Sequence, residues 1–270
     1  MTEFLKADWL KLQRRWMPRL LLVIEVVILG FVFFGVGGTT DGKNLAIPTG
    51  TVFALLLSAT FAQFLWPVLA GSWSGSEYGW GTVRTMLSRR PGRIEFVISG
   101  LLIVLLVVAA AIILATVAGS VGGIIVAALT NRSVLNTAGV DNAWLEVAKM
   151  VLSTWYTSAF WAILAYSLAI IFRSQATGIG VGIGFSIASG IINGIFSRLG
   201  GAWQQIAQHL PNAYTGGLVD HIANETLRGR IIGSTGNEPD VIPSLIGITI
   251  YAALLIGVAL AVTLERDVSA

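Results

Sequence analysis

Residues 96 to 131 read FVISGLLIVLLVVAAAIILATVAGSVGGIIVAALTN, and no charged side chain interrupts them. At about 1.5 Å of helix rise per residue, this run is much longer than the roughly 30 Å needed to cross a hydrocarbon core once. A single span is expected at 96–118. Gly119, Gly122 and Gly123 mark the natural break, because glycine weakens a helix interior, and a bent or interfacial continuation follows to 129. Working outward, five further apolar windows of spanning length are found at about 20–38, 50–72, 150–172, 175–196 and 241–263. The first follows Arg14, Arg15 and Arg19 directly and ends in no small-residue cleavage site, so it reads as a retained helix and not a signal peptide.

Composition agrees. Of 270 residues, 55% are hydrophobic and only 11% charged, with a mean hydropathy of +0.79, whereas a soluble domain carries about 25% charged residues. The fold class expected is an all-α integral membrane protein, one transmembrane domain of six spans. There is no cysteine, which excludes thiolate metal sites, iron–sulfur clusters and disulfides. A net charge of +3 is too small to indicate a nucleic-acid partner. With both termini in the cytoplasm, the inner segments collect eleven Lys and Arg against six outside, as the positive-inside rule requires. The localisation expected is therefore a cell membrane, crossed several times.

Three segments are not spans. Residues 4–16 place Leu5, Trp9, Leu12 and Trp16 on one helical stripe, with Lys6, Lys11, Arg14 and Arg15 off it. This is the pattern of an interfacial helix, with tryptophans at the headgroup boundary and cations toward an anionic leaflet. In the loop 73–95, Trp80, Val83 and Leu87 fall at i, i+3 and i+7 before Ser88, Arg89, Arg90 and the helix-stopping Pro91-Gly92. The short helix expected there, over 77–90, serves either as a cationic clamp that fixes orientation or as a rigid peg for a cytoplasmic partner. The outer loop 197–240 is too long to be structureless; two short helices on or dipping into the outer leaflet are expected.

No phosphate loop occurs, so the chain does not itself hydrolyse ATP by that route, and the spans hold no nucleophile with a base and no carboxylate pair. No catalytic residues are assigned. His209 and His221, both in the outer loop, read as surface groups, and no metal site is assigned. Glu25 is the polar exception within the first span. It is either a packing residue near the interface or a proton or ion site. Gly178/Gly182, Gly180/Gly184 and Gly190/Gly194 in the fifth span are small-xxx-small pairs that allow close helix approach, within the chain or across a dimer. Gln63, Pro67, Ser186 and Asn193 supply polarity or a kink at membrane depth.

Three stretches carry a likeness to known proteins: FLKADWLKLQRRW (4–16), EYGWGTVRTMLSRRPGRIEF (77–96) and HLPNAYTGGL (209–218). They resemble the permease subunits of type-2 ABC exporters, the group that includes bacitracin-resistance and lantibiotic-immunity permeases. The most specific element is the series Glu77, Tyr78, Gly81, Thr82, Arg84, Leu87, Ser88, Pro91 and Arg93, which looks like that family's coupling loop. The resemblance implies a half-transporter paired with a second copy of itself or a paralogous permease. It also implies two cytoplasmic ATPase subunits that carry ATP and Mg, with no cofactor on this chain, and a cargo such as a peptide antibiotic. In that family the helix over Glu77, Tyr78, Gly81, Thr82, Val83, Arg84, Leu87, Ser88, Arg89 and Arg90 docks into the ATPase. The substrate path lies between the two permeases along spans two and five, where Gln63, Pro67, Ser186 and Asn193 sit. The competing expectation is a protein without ATPase partners, an ion-coupled secondary transporter using Glu25 or a lipid-handling membrane protein. Secondary transporters often carry inverted repeats, and none is evident between the two three-span halves.

Overall fold

The computed structural model describes residues 2–39, 45–81, 92–131, 133–135, 142–227 and 239–265. Among them are nine helices: α1 (Thr2–Arg14), α2 (Met17–Thr39), α3 (Thr49–Gly79), α4 (Arg93–Leu129), α5 (Ala143–Ile171), α6 (Gln175–Leu199), α7 (Gly201–Gln208), α8 (Pro211–Leu227) and α9 (Val241–Glu265). Six of these, α2 to α6 and α9, are long and apolar enough to cross a membrane. The chain is an all-α membrane protein.

Polar contacts fix which helix ends lie together. The Arg93 guanidinium at the start of α4 donates to the Thr263 and Leu264 carbonyls at the end of α9. Ser74 near the end of α3 donates to the Tyr166 carbonyl on α5, and the Tyr166 hydroxyl donates to the Val97 carbonyl on α4 at 2.8 Å. This end of the bundle also carries α1. At the far end the segment before α3 pairs with the segment after α4, where the Ile47 amide donates to the Val134 carbonyl at 2.9 Å.

α3 is the hub, packed by α2, α4, α5, α6 and α8. α3 and α5 run parallel, since Thr154 meets the Leu55 carbonyl toward the far end and Tyr166 meets Ser74 toward the other. Between helices in lipid there is no hydrophobic drive, so small residues and close van der Waals contact hold the bundle. A Cβ on Gly75 would lie 2.3 Å from the Gln175 Cα, and one on Gly178 would lie 2.5 Å from the Ala169 Cβ. α3, α5 and α6 therefore meet nearly backbone to backbone. Large side chains fill the remaining centre, with Trp66, Phe160 and Trp161 almost fully buried.

Three boundaries differ from the sequence reading. α4 runs unbroken through its glycines for 37 residues, roughly 55 Å by helix rise. The expected break after 118 is absent because the glycines serve packing: a Cβ on Gly119 would fall 2.5 Å from the Ala54 Cβ, and one on Gly123 would fall 2.8 Å from the Leu45 carbonyl oxygen. α3 continues past residue 72 to Gly79, so Glu77 and Tyr78 belong to the end of a span and not to a separate loop helix. Gly81 follows in a left-handed turn, at φ 67°, and Thr82, Val83, Arg84, Leu87, Ser88, Arg89 and Arg90 lie outside the described residues. α5 starts at Ala143, seven residues before the expected edge. The long loop after α6 does hold two helices. Gly200 and Gly201, both at positive φ, separate α6 from α7, and Pro211 opens α8, a first-turn position where its missing N–H costs nothing. α8 dips well into the bundle, burying Ala213, Leu218, Val219 and Ile222 against α3, α5, α6 and α9.

Candidate functional site

Three groups of polar side chains stand out within the bundle. At the α1 end, Phe4, Asp8, Lys11 and Arg15 are spaced four, three and four and form one stripe directed into the protein. Asp8 accepts from Lys11 at 2.9 Å and from the Ser99 hydroxyl of α4 at 2.7 Å. Lys11 also lies 3.2 Å from Glu77, to which Arg15 donates at 2.8 Å. The Arg15 guanidinium lies 5.0 Å from the Trp73 ring centroid and 5.1 Å from that of Trp80, close enough for cation–π attraction to both. Phe4 meets Phe96 edge-on. Asp8 and Glu77 are each only 4% exposed. Two acids and two cations are thus linked in one buried cluster, and losing one member would strand a buried charge.

The stripe read from the sequence, Leu5, Trp9, Leu12 and Trp16, lies on the adjacent face. Leu12 packs against the main core, while Trp9 is exposed and Trp16 is 73% exposed. The cations divide: Lys6 and Arg14 face out, whereas Lys11 and Arg15 turn inward to carboxylates. Sequence reasoning missed the acids that draw them in. The available signal was a second stripe, Phe4, Asp8, Lys11 and Arg15, beside the apolar one. Tyr78 reaches the Thr263 side chain near the end of α9, so the last turn of α3 touches both chain termini of the bundle.

Glu25 lies eight residues into α2 and is 2% exposed. It accepts a hydrogen bond from the Ser58 hydroxyl on α3 at 2.6 Å, while its second oxygen has no hydrogen-bond partner among the described residues. The Thr154 to Leu55 bond sets the register of α3 against α5. One turn further along, Ser58 and Ser158 are both fully buried.

The third place is a cavity of about 150 Å³ between α3, α5 and α8. Its polar lining is Thr60 and Gln63 of α3, Thr157 of α5, and Asn212, Thr215 and Asp220 of α8; Trp161 and Val219 are among its apolar walls. The Gln63 amide donates to the Thr60 carbonyl at 3.2 Å. The Thr157 hydroxyl is buried with no hydrogen-bond partner among the described residues. Of the four candidate path residues, only Gln63 lines this cavity. Pro67 is buried toward α6, 3.4 Å from where a Gly182 Cβ would stand. Ser186 lies on the buried stripe Gly178, Gly182, Ser186 and Ser189 and donates within its own helix to the Ile183 carbonyl. Asn193, half-buried further along, accepts from Ser197 at 3.4 Å. A second cavity of about 220 Å³, between α2, α3 and α4, is lined by side chains such as Leu29, Phe33 and Val121 and is almost wholly apolar.

The glycine pairs also separate. Gly178 and Gly182 are spent within the chain against Ala169 and Ala165, whereas Gly180 and Gly184 have open space where a side chain would stand. His209 rests on the Gln205 carbonyl, and His221 lies 3.5 Å from Asp240.

This architecture defines a six-span helical membrane protein with a buried ionic clamp at one end and a polar cavity under a dipping helix toward the other. The chain belongs to the family described as Protein of unknown function (DUF2705), whose model matches residues 18–268. No curated protein matches it.

Proposed function

We propose that the chain is the membrane-spanning permease subunit of an ATP-driven exporter in a cell membrane. It works with a second copy or a paralogous permease and is driven by separate cytoplasmic ATPase subunits. Both termini are cytoplasmic in this reading, and α1 lies along the inner membrane surface with Trp9 and Trp16 toward the headgroups. The observation that carries the reading is the clamp. It ties α1 and the start of α4 to the last turn of α3, directly before the segment 82–91 that carries most of the coupling-loop motif. A push on that segment by a closing ATPase would then move α1, α3 and α4 as one body instead of bending a loose loop. A buried ionic cluster suits this task because it is little screened by salt. The outward face of α6, with Gly180 and Gly184 bare, suits the second permease.

The test is affinity purification from the native membrane with identification of co-purifying proteins, beside an Arg84→Glu, Leu87→Asp variant. Recovery of a phosphate-loop ATPase with the parent chain and its loss in the variant is the expected result. Absence of an ATPase from both, with the chain folded, would overturn the reading. A second reading, ion-coupled transport without an ATPase, is favoured by one observation, the buried Glu25 oxygen without a hydrogen-bond partner. It would be supported by transport that Glu25→Gln abolishes in vesicles free of any ATPase.

A further inference from the structure

We propose that the cavity between α3, α5 and α8 binds the uncharged carboxamide head of a small amphipathic molecule. Polar groups converge there from three helices at membrane depth, since residues 56–63 of α3 lie roughly 10 to 20 Å along the helix from its far end. Polar side chains are costly at such depth, and their convergence marks a path or a site for a ligand. No Lys, Arg or His stands among the described lining residues. The acid on that wall, Asp220, is already engaged in an interaction of its own, and the site is built without it. An ion that entered would give up its water with no uncommitted opposite charge to replace it, whereas an uncharged group needs only hydrogen bonds.

Thr157 carries the site. It is 3% exposed, and its hydroxyl has no hydrogen-bond partner among the described residues, although it borders the cavity. A helical threonine can turn its hydroxyl back to a carbonyl of its own helix, as Thr60 does to Leu56, and a buried hydroxyl is rarely left unmatched. Gln63 meets the same space from α3 and spends one amide N–H on the Thr60 carbonyl; a carboxamide carries a second N–H and an acceptor oxygen besides. Asn212 enters from α8. Its Nδ2 lies 2.7 Å from where a Gly190 Cβ would stand, so the bare glycine on α6 gives that amide its place. Two side-chain amides and a hydroxyl, each both donor and acceptor, match a head that also donates and accepts. A primary carboxamide does so at three points, with two N–H groups and a carbonyl, whereas an ester only accepts. Trp161 supplies an apolar wall. A volume of about 150 Å³ is that of a cavity that takes one benzene ring, so it admits a headgroup with a ring or a few carbons, not a peptide. Thr60, exposed at the α3 edge of the cavity, leaves a side open for a tail.

That the amide is cargo rests on the exporter reading; that it binds does not. The experiment uses the purified full chain in lipid nanodiscs, without ATPase, and saturation-transfer NMR of 2-phenylacetamide. Methyl phenylacetate, 2-phenylethylammonium and phenylacetate serve as acceptor-only, cationic and anionic comparisons, with empty nanodiscs as background. Saturable binding of the amide alone is expected. Thr157→Val keeps the shape of the side chain and should weaken that binding about fivefold, as the loss of one hydrogen bond requires. It should not lower the detergent-unfolding midpoint of the ligand-free chain, because the hydroxyl it removes holds no described partner. Gln63→Leu should weaken binding about as much, and should either variant fail to fold, the other decides. Binding of the ester or of either ion as tight as that of the amide, no saturable binding of the amide, or amide binding that the folded variants leave unchanged would overturn the proposal. A positive result here beside a failed ATPase recovery would leave the amide site standing and remove the exporter reading; the opposite pair would do the reverse.

Discussion

Replacing Glu77 by Gln is the sharpest probe of the clamp. Glu77 receives Arg15 at 2.8 Å and Lys11 at 3.2 Å, so its neutralisation removes the carboxylate that both cations approach. Breaking a fully buried pair costs about 3–5 kcal/mol, and an exposed one less than about 1. The acid here is almost fully buried, while the Lys11 and Arg15 side chains keep 21% exposure and can swing their heads toward water. An intermediate loss of about 2 kcal/mol follows. It falls on the docking of α1 rather than on the bundle, because α1 joins the rest through this cluster, the Phe4–Phe96 contact and the packing of Leu12. The assay is amide hydrogen exchange by mass spectrometry in nanodiscs. Protection of residues 2–14 should drop by about thirtyfold, as 1.4 kcal/mol per decade requires, while α5 is unchanged. The double variant Arg15→Glu, Glu77→Arg should regain part of the protection. Unchanged exchange in α1, or an equal rise throughout the chain, would refute the assignment of the cluster as the tie between α1 and α3.

The other predictions follow from the packing and the buried hydroxyls. Gly178→Leu should lower the thermal unfolding temperature sharply, through overpacking of about 1–3 kcal/mol or more, because its Cβ would stand 2.5 Å from the Ala169 Cβ. Gly180→Leu, in open space, should leave unfolding of the single chain nearly unchanged and, if a second copy packs there, reduce cross-linking between copies. Ser58→Ala removes the hydrogen bond to Glu25 and should cost about 1–2 kcal/mol by detergent unfolding, with much less further loss in a Glu25→Gln background. Because the chain has no cysteine, a single Thr157→Cys reports on the cavity without other changes. Its maleimide labelling should rise when Gly247→Val forces the Tyr214 ring, 2.5 Å from the Gly247 Cβ position, and with it α8, away from α9.

The six spans were legible because their signal is local: some twenty apolar residues in a row satisfy their own backbone only as a helix, wherever the neighbours lie. The two helices after α6 were legible from the length and apolar character of the loop and from Pro211, whereas Gly216-Gly217, which looks like a second break, lies inside α8. The end of α3 was harder to read. Trp73, Ser74, Gly75, Ser76 and Glu77 look like loop residues one by one, and they remain helical because α5, α6 and the inward cations of α1 cover them. Gly119 and Gly123 mislead in the same way, since a glycine that weakens an isolated helix strengthens one whose neighbour must come within contact of its backbone.

The apolar runs, then, determined by themselves that the chain is a membrane protein with six helices of spanning length, and the spacing of Leu5, Trp9, Leu12 and Trp16 determined that a helix precedes the bundle. Only the tertiary structure decided that Asp8, Lys11, Arg15 and Glu77 form one buried cluster, that Gln63 and not Pro67, Ser186 or Asn193 lines the cavity with Asp220, and which glycine pairs are already spent. Periodicity reports which face of a helix is apolar, but a salt bridge across 62 residues or a cavity built from three helices exists only once the helices have chosen their partners.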